Sequence, residues 1–508
     1  MPRPALEAAG LAAALALGWT LRATTPAAVE DLRPRPDAVE YEEAARHLVR
    51  GHGYWLHIAG ERYPPRYPFG TSALIAPALL VLGDAPGTGV AAVAAAAAAG
   101  TVVTWALARA AGGPAAALGA ALLLATAPLH VRLSKIVLSE VPSAAAVALV
   151  ALLCLRAASR ATPGAWLAAG VGAGLAATLR LSNGLLVVPA AAVVLSGRRR
   201  VASLVALGTG ALLGVAPLLA QQWYALGSPL ATGYAYWLPG TPFFGAAHVL
   251  GPPAGGGTEP NARFYGAALA GARASYGPGV ALLAAAGLLL GLRRGGPART
   301  LALFAATFVA ALWAFHALFF WQAERFLVPA LPLVAAVAAL PLASTSRPPV
   351  RVVALVLVAL AVARPFREPA AFAFPSGPRE VAALRRLAAE TPRDAAILAR
   401  TNPFLFERVL RAEGAERVWV PLDLCEWLLP IRWHGLRSFG RVGDGSWMHE
   451  PLAGPRGAGD AARTVRALLA AGRPVYLAGA GESAVTQALR REFVLADAPG
   501  GLVRVLLR

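Results

Sequence analysis

Carboxylates and guanidiniums set beside apolar stretches are the groups in this sequence with the means to do chemistry. The run PDAVEYEEAARHLVRGHGYWLHIAGERYPPRYPFGTSALIAP carries Asp37, Glu40 and Tyr41 at helical spacing, on or near one face. Gly51, Gly53 and Tyr54 then break that helix, and Pro64, Pro65, Arg66, Tyr67, Pro68 and Gly70 stiffen the chain beyond it. A second run, HVRLSKIVLSEVPSAA, holds His130, Arg132, Lys135 and Glu140, with Glu140 where an apolar helix begins. A positioned carboxylate can take a proton from an attacking hydroxyl. Structural roles compete at each position. Asp37 precedes a helical run and can cap it. Glu40 fits a solvated helix face better than a site. Glu140 can be held by a helix dipole, yet an ionisable group at a membrane boundary is also a functional candidate. Arg180 lies between two apolar segments, where an idle charge is expensive unless it snorkels to the interface. Arg325 next to Glu324 suits a simple ion pair. His47, His52 and His57, five apart in a loop broken by glycines, fit no helical ligand pair and read as polar surface.

The elements that must position these groups are helices in a bilayer. Of the 508 residues, 57% are hydrophobic and only 14% charged, too few charges to coat a soluble surface of this size. The formal net charge of +19 does not mark nucleic-acid binding, because the arginines sit between apolar stretches rather than on one face. Lys135 is the single lysine, and the wealth of Ala, Gly and Pro reads as a high-GC genome. Cys154 and Cys425 lie in a membrane segment and in the polar tail, so they make no disulfide framework.

Length and charge set the topology. The apolar run Ala5–Ala23 reads as an uncleaved first helix rather than a signal peptide, since no clean small-x-small site follows it. Thr71–Gly83 is too short to span and is expected to be re-entrant or interfacial, because a span needs about 20 residues. Further spans are expected at Gly87–Ala108, Ala115–Pro128, Val141–Leu155, Ala165–Thr178, Asn183–Leu195, Val201–Ala220, Gly277–Leu292, Leu301–Phe320, Phe326–Leu342 and Val350–Ala363. The expected fold is an α-helical polytopic bundle of about eleven spans, N-terminus in and C-terminus out. Alternate loops carry Arg109, then Arg156 and Arg160, then Arg198, Arg199 and Arg200, then Arg293, Arg294 and Arg299, then Arg347 and Arg351. These fall on the side of Arg3, which the positive-inside rule makes cytoplasmic. Every acid before residue 364 except Glu7 falls on the other side, including Asp37, Glu140, Glu259 and Glu324.

The chain therefore divides into a membrane domain at 1–363 and a soluble domain at 364–508. The membrane domain has outer loops at 24–86, 129–140 and 221–276. The last of these is long and aromatic, with Trp223, Tyr234, Tyr236, Trp237, Phe243, Phe244 and Tyr265. Such rings stack on sugars and equally anchor at lipid interfaces. In the tail, strands are expected at Ala395–Ala399, Arg417–Pro421, Pro474–Ala478 and Leu502–Leu507, between helices at Pro378–Glu390, Pro403–Gly414, Asp460–Ala471 and Glu482–Arg491. That alternation predicts a small α/β domain with a mostly parallel sheet, outside the cytoplasm. GAGESA, from Gly479 to Ala484, matches a dinucleotide-binding pattern, but it comes too late in the domain and reads as a tight βα turn.

One resemblance joins these features. Asp37-x-x-x-Tyr41-x-x-x-Ala45-x-x-Leu48-x-x-Gly51-x-Gly53-Tyr54, followed by PPRYPFGTSALIAP, resembles the first outer loop of GT-C glycosyltransferases. The group it resembles is family 39, of the protein O-mannosyltransferase, lipid A aminoarabinose transferase and lipopolysaccharide-core galacturonosyl transferase type. LSKIVLSEVPS, TLRLSNGLLVVP and ERFLVPALP resemble later patterns of that family, so the match covers most of the first 345 residues. The resemblance implies sugar transfer, with inversion, from a polyprenyl-phosphate donor. The acceptor is a lipid (lipid A or core), a glycan or a protein, and the place is the outer face of a bacterial cytoplasmic (inner) membrane. It implies Asp37 and Glu140 as catalytic acids and Arg66, Lys135, Arg180 and Arg325 as phosphate ligands, with Glu40, Tyr41 and Glu324 secondary. Arginine grips phosphate through a bidentate fork and lysine as a point charge. Some relatives bind a divalent ion (Mg or Mn) through paired acids and others do not, which leaves metal use open. Two other classes compete: a lipid or polysaccharide transporter or flippase, and an inactive relative that binds or senses. A transporter would place ionisable groups near the bilayer midplane, often in repeated halves. Here no repeat is evident and the acids lie in outer loops.

Overall fold

In the computed structural model, the described residues are 3–24, 37–58, 61–85, 87–197, 199–237, 241–253, 257–273, 276–343, 348–372, 380–399, 406–410, 416–421, 455–478 and 484–508. The chain forms two compact units. One comprises 1–49, 68–230 and 242–376; the other comprises 50–67, 231–241 and 377–508.

The first unit is helical. Seven of its described helices are long and apolar enough to cross a membrane. They include α1 (Arg3–Thr24), α4 (Thr88–Ala125), α6 (Glu140–Arg160), α9 (Arg200–Leu226), α14 (Gly296–Ala317) and α16 (Pro348–Arg367). The seventh, Glu324–Ala343, is made of the 3₁₀ turns Glu324–Ala330 and Leu340–Ala343 around α15 (Leu331–Ala338), and protein surrounds nearly all of it. Shorter apolar elements are α3 (Gly70–Leu82), α7 (Pro163–Leu179), the 3₁₀ turn Leu181–Leu186 running into α8 (Val187–Leu195), and α13 (Pro278–Arg294). Every expected span thus has a helical counterpart. α4 would be far too long for one span, at about 1.5 Å per residue. It is two helices meeting at Gly113, whose φ of 78° and ψ of −167° leave the helical region just before Pro114. This matches the expected break between Ala108 and Ala115.

One ion pair and two polar contacts tie the ends of α1 to neighbouring segments. Near the start of α1, Glu7 accepts from Arg109 Nε at 2.6 Å, so the one acid on the basic side has an arginine of that side as its partner. At the other end of α1, Arg22 donates to Ser134 Oγ at 2.6 Å and lies 3.1 Å from His130 Nδ1, both in the second outer loop. Small residues let helices touch backbone to backbone. A Cβ on Gly170 or Gly174 of α7 would lie 2.2–2.3 Å from carbonyls of α9, and Gly210 and Gly214 of α9 mirror this.

Two elements carry the first outer loop within this unit. α2 (Asp37–Val49) is buried along most of its length. Glu40, expected on a solvated face, is only 1% exposed. The helix tolerates so many buried acids because Arg46 bonds Glu42, Glu43 and Asp84 at 3.0, 2.8 and 2.6 Å. α3 is the expected short helix. Its start is packed, whereas Leu80, Val81 and Leu82 at its end are exposed apolar side chains suited to lipid.

In the second unit, β1 (Leu56–Ile58) pairs antiparallel with β2 (Glu61–Tyr63), which ends at the proline pair. Its five-stranded sheet has the order β4-β3-β5-β7-β6, from β3 (Ala396–Ala399), β4 (Val418–Pro421), β5 (Val475–Ala478), β6 (Phe493–Ala498) and β7 (Leu502–Leu507). β4, β3 and β5 run parallel, while β7 pairs antiparallel with both β5 and β6. The sheet is therefore mixed rather than mostly parallel. The missed strand is β6: it follows a helix (Ala484–Glu492) without a turn signal and hairpins through Pro499–Gly501. Most of GAGESA, most of the expected helix Pro403–Gly414, and Cys425 lie outside the described residues.

Candidate active site

Four charged side chains from four separate chain segments of the first unit converge. Arg325 Nη1 lies 2.6 Å from Asp37 Oδ2 and 3.5 Å from Glu140 Oε1. Arg180 Nη1 lies 2.9 Å from the same Glu140 oxygen. Two carboxylates and two guanidiniums thus form one array, in which Arg325 bridges the acids and Glu140 bridges the arginines. Both guanidiniums rest against the Phe326 ring, at 4.9 Å for Arg180 and 5.4 Å for Arg325.

The local backbone explains the convergence. Asp37 is the first residue of α2 and Glu140 the first of α6, so each acid stands at a helix start, where the dipole favours its charge. Neither is spent as a simple cap, since both reach arginines. The arginines sit where apolar helices are interrupted. α7 ends at Arg180 in extended conformation, and the chain resumes as a 3₁₀ turn. Ala323 is likewise extended before the 3₁₀ turn that contains Arg325. The Arg180 turn is braced on two sides. Asn183 Nδ2 donates to Ser143 Oγ and to the Ala176 carbonyl, each at 2.9 Å. Gly70 lies so close to α7 that a Cβ would be 2.4–2.6 Å from Thr178 atoms, and Thr71 Oγ1 donates to the Leu179 carbonyl at 3.2 Å.

The expected site residues fare differently. Asp37, Glu140, Arg180 and Arg325 come together. Arg325 is not a mere neighbour pair with Glu324, because it reaches across to Asp37 and Glu140. Tyr41 is buried, and its carbonyl accepts Ser72 Oγ at 2.9 Å, which ties α2 to α3. Glu324 opens the 3₁₀ turn that carries Arg325.

Lys135 is placed elsewhere. Its ammonium donates to the Phe372 carbonyl at 2.7 Å, and burial, with Arg22 nearby, pushes its pKa down to about 8. His130 of the same cluster is held well below its usual value by burial first and by Arg22 second. Arg66 belongs to the second unit. There it is buried, with its guanidinium 6.0 Å from the Tyr67 ring and 5.8 Å from that of Trp237. The Trp237 indole in turn donates to the Pro64 carbonyl at 2.7 Å. The glycine-broken loop folds back far enough to stack His52 on His57 at 5.6 Å and 11°, contact that linear spacing had argued against. Burial, then His52 and Arg62, lowers the His57 pKa.

Sequence reasoning missed His316, at the end of α14. Its ring stacks on Phe326 at 4.8 Å and 21°. A histidine inside the apolar run AFHALFF was the available signal. Tyr265 was grouped with interfacial aromatics, but it lies 5.8 Å from the His316 ring and its hydroxyl accepts the Ala323 amide at 3.2 Å. Burial raises its pKa to about 12, against smaller opposing effects of that amide, Arg180 and Arg325.

Comparison with solved structures places the chain in a known architecture. The chain superposes on ArnT from Cupriavidus metallidurans in the apo state with a TM-score of 0.63 and 14% identity, covering 99% of this chain and 98% of that one. ArnT bound to undecaprenyl phosphate matches with a TM-score of 0.58 at 14% identity, over the same shares. It has the GT-C fold of the ArnT type. An oligosaccharyltransferase from Archaeoglobus fulgidus, solved with a tethered acceptor peptide, gives a TM-score of 0.50 at 11% identity, over 82% of this chain and 64% of that one. The family model for dolichyl-phosphate-mannose-protein mannosyltransferase matches residues 66–223. Within the GT-C fold that stretch includes Glu140 and Arg180 and leaves out Asp37 and Arg325. No curated protein matches the chain. The GT-C fold and its apolar helices make this a multi-pass membrane protein.

Proposed function

We propose that this protein transfers a sugar from a polyprenyl-phosphate donor to a hydroxyl-bearing acceptor on the outer face of a bacterial cytoplasmic membrane, with inversion. The observation that carries this reading is the Asp37–Arg325–Glu140–Arg180 array. ArnT, whose fold this chain shares, has been solved with undecaprenyl phosphate bound, which supports that class of donor.

The chemistry follows from the exchange of partners that such an array permits. The donor phosphate competes with Asp37 for Arg325 and joins Glu140 on both arginines, and phosphate suits the guanidinium fork. Once Arg325 turns to phosphate, Asp37 Oδ2 can accept the proton of the acceptor hydroxyl. The acceptor oxygen then forms its bond to the anomeric carbon as the bond from that carbon to the phosphate oxygen breaks. The leaving phosphate keeps the electron pair, and the two arginines stabilise its charge. A single displacement inverts the anomeric centre. Glu140 anchors both arginines throughout. Each carboxylate has one oxygen on a guanidinium, and the steps of this reading run through these four side chains. The acceptor is a lipid A or core glycolipid, a surface polysaccharide or a protein hydroxyl, and the tail domain lies outside the cytoplasm.

The test supplies radiolabelled undecaprenyl-phosphate sugars to membranes holding wild type, Asp37→Asn or Glu140→Gln. Transfer by wild type and its loss in both variants is the expected result. Transfer that survives both changes would refute the mechanism.

A further inference from the structure

His316 is 2% exposed, and neither Nδ1 nor Nε2 has a hydrogen-bond partner among the described residues. Its place in the last turn of α14 suggests a role at the helix dipole, but such a role would send a ring nitrogen to a free carbonyl, and none receives it. Buried polar groups are rarely left so, and a histidine at the end of a membrane helix is a functional candidate by default. Its neighbours say what it serves. The ring stacks on Phe326, against which both Arg180 and Arg325 rest. Two more buried atoms also lack a hydrogen bond among the described residues: Glu140 Oε2, in the array, and Asn183 Oδ1, in the turn that follows Arg180. Asn183 brackets Arg180 through Ser143, one turn along α6 from Glu140.

Acceptor atoms thus border the two arginines, and the imidazole stacks on the Phe326 ring that those arginines touch; in its neutral form it offers one donor and one acceptor. Phosphate carries acceptors only and is already served by two arginines. A sugar hydroxyl both gives and takes a hydrogen bond and meets each of these three groups. We infer that His316, with Glu140 Oε2 and Asn183 Oδ1, binds hydroxyls of the transferred sugar, so that His316 is a specificity-determining residue for the glycosyl part of the donor. This rests on the proposed transferase reading, and it separates sugar recognition from phosphate recognition within one site.

The experiment measures affinity of the purified full-length protein for two kinds of probe. One is bare undecaprenyl phosphate; the other is the same lipid carrying glucose, mannose, galactose or 4-amino-arabinose. Wild type is expected to bind at least one glycosylated lipid more tightly than the bare lipid. His316→Phe, which keeps the aromatic stack, is expected to hold the bare lipid within twofold and to weaken the preferred glycosylated lipid at least tenfold. His316→Gln, which keeps a donor and an acceptor, is expected to restore part of that loss. Equal weakening of both lipids, or no change in either, would overturn the inference, as would a wild type that never prefers a glycosylated lipid. Wild type that binds neither kind of lipid would overturn the transferase reading itself. A thermal melt of each variant shows whether a loss reflects unfolding.

Discussion

Asp37 and Glu140 both touch Arg325, yet the array gives them different work. Among the described residues Asp37 meets one arginine, whereas Glu140 meets two. Asp37→Asn removes the proposed base and also a competitor for Arg325. Transfer should fall by roughly 10²–10⁴-fold, the usual worth of a general base. Affinity for undecaprenyl phosphate should stay level or rise. Glu140→Gln leaves Arg180 and Arg325 side by side without their shared anion, so both lipid affinity and folding yield should fall. Breaking a buried pair in this way costs about 3–5 kcal/mol. Binding and turnover measured on the same preparations separate the two behaviours, and identical losses in both variants would count against distinct roles.

Two contacts between elements carry predictions of their own. At the α3–α7 crossing, Gly70→Ala would place a methyl 2.4 Å from Thr178 Oγ1 and 2.6 Å from its backbone. Overpacking of this kind costs about 1–3 kcal/mol, and the shift would pass along α7 to Arg180 at its end. The expected outcome is a lower melting temperature with a larger loss of lipid affinity than of expression. In the second outer loop, Lys135 ties the segment after α5 (Pro128–Leu133) to the 3₁₀ turn Pro369–Phe372. Its folded pKa near 8 lies below the ordinary 10.5. Between those values the unfolded chain binds a proton that the folded chain has released, so this group makes stability rise with pH from about 8 to 10.5. Below pH 8 its full cost remains. At about 1.4 kcal/mol per pKa unit that cost is about 3 kcal/mol, less about 1 for the Phe372 carbonyl that loses its donor on substitution. Lys135→Met should therefore melt higher than wild type at pH 7, and the order should reverse by about pH 10.5. A gap independent of pH would contradict this origin.

For the whole molecule, the testable statement is sidedness. Single cysteines at Ser159 and Gly197 should react with an impermeant maleimide from the cytoplasmic side, and one at Gly53 or Arg473 from the other, in a background lacking Cys154 and Cys425. Reaction of Gly53 and Arg473 variants from opposite sides would separate the tail from the first outer loop. The ion pair of Glu7 with Arg109, and the contacts of Arg22 with His130 and Ser134, tie the two ends of α1 to loops whose sides these labels report.

The bundle and its breaks were legible in the sequence because they depend on quantities that add along the chain. Run length against bilayer thickness gave the helices, while the sorting of arginine from carboxylate assigns the sides that the maleimide experiment tests. Gly113–Pro114 marked its own kink, and the α2 and α3 signals came from local glycines and prolines. Asp37, Glu140, Arg180 and Arg325 could each be named, but not joined. Residues from four segments meet only when helices pack, and nothing local tells Arg325 to prefer Asp37 over its neighbour Glu324. The same cause moved Lys135 to Phe372, buried Glu40 and brought His52 onto His57. His316 shows the limit most clearly. Its residue type in an apolar run was visible, whereas its stack on Phe326 beside two arginines exists only in three dimensions.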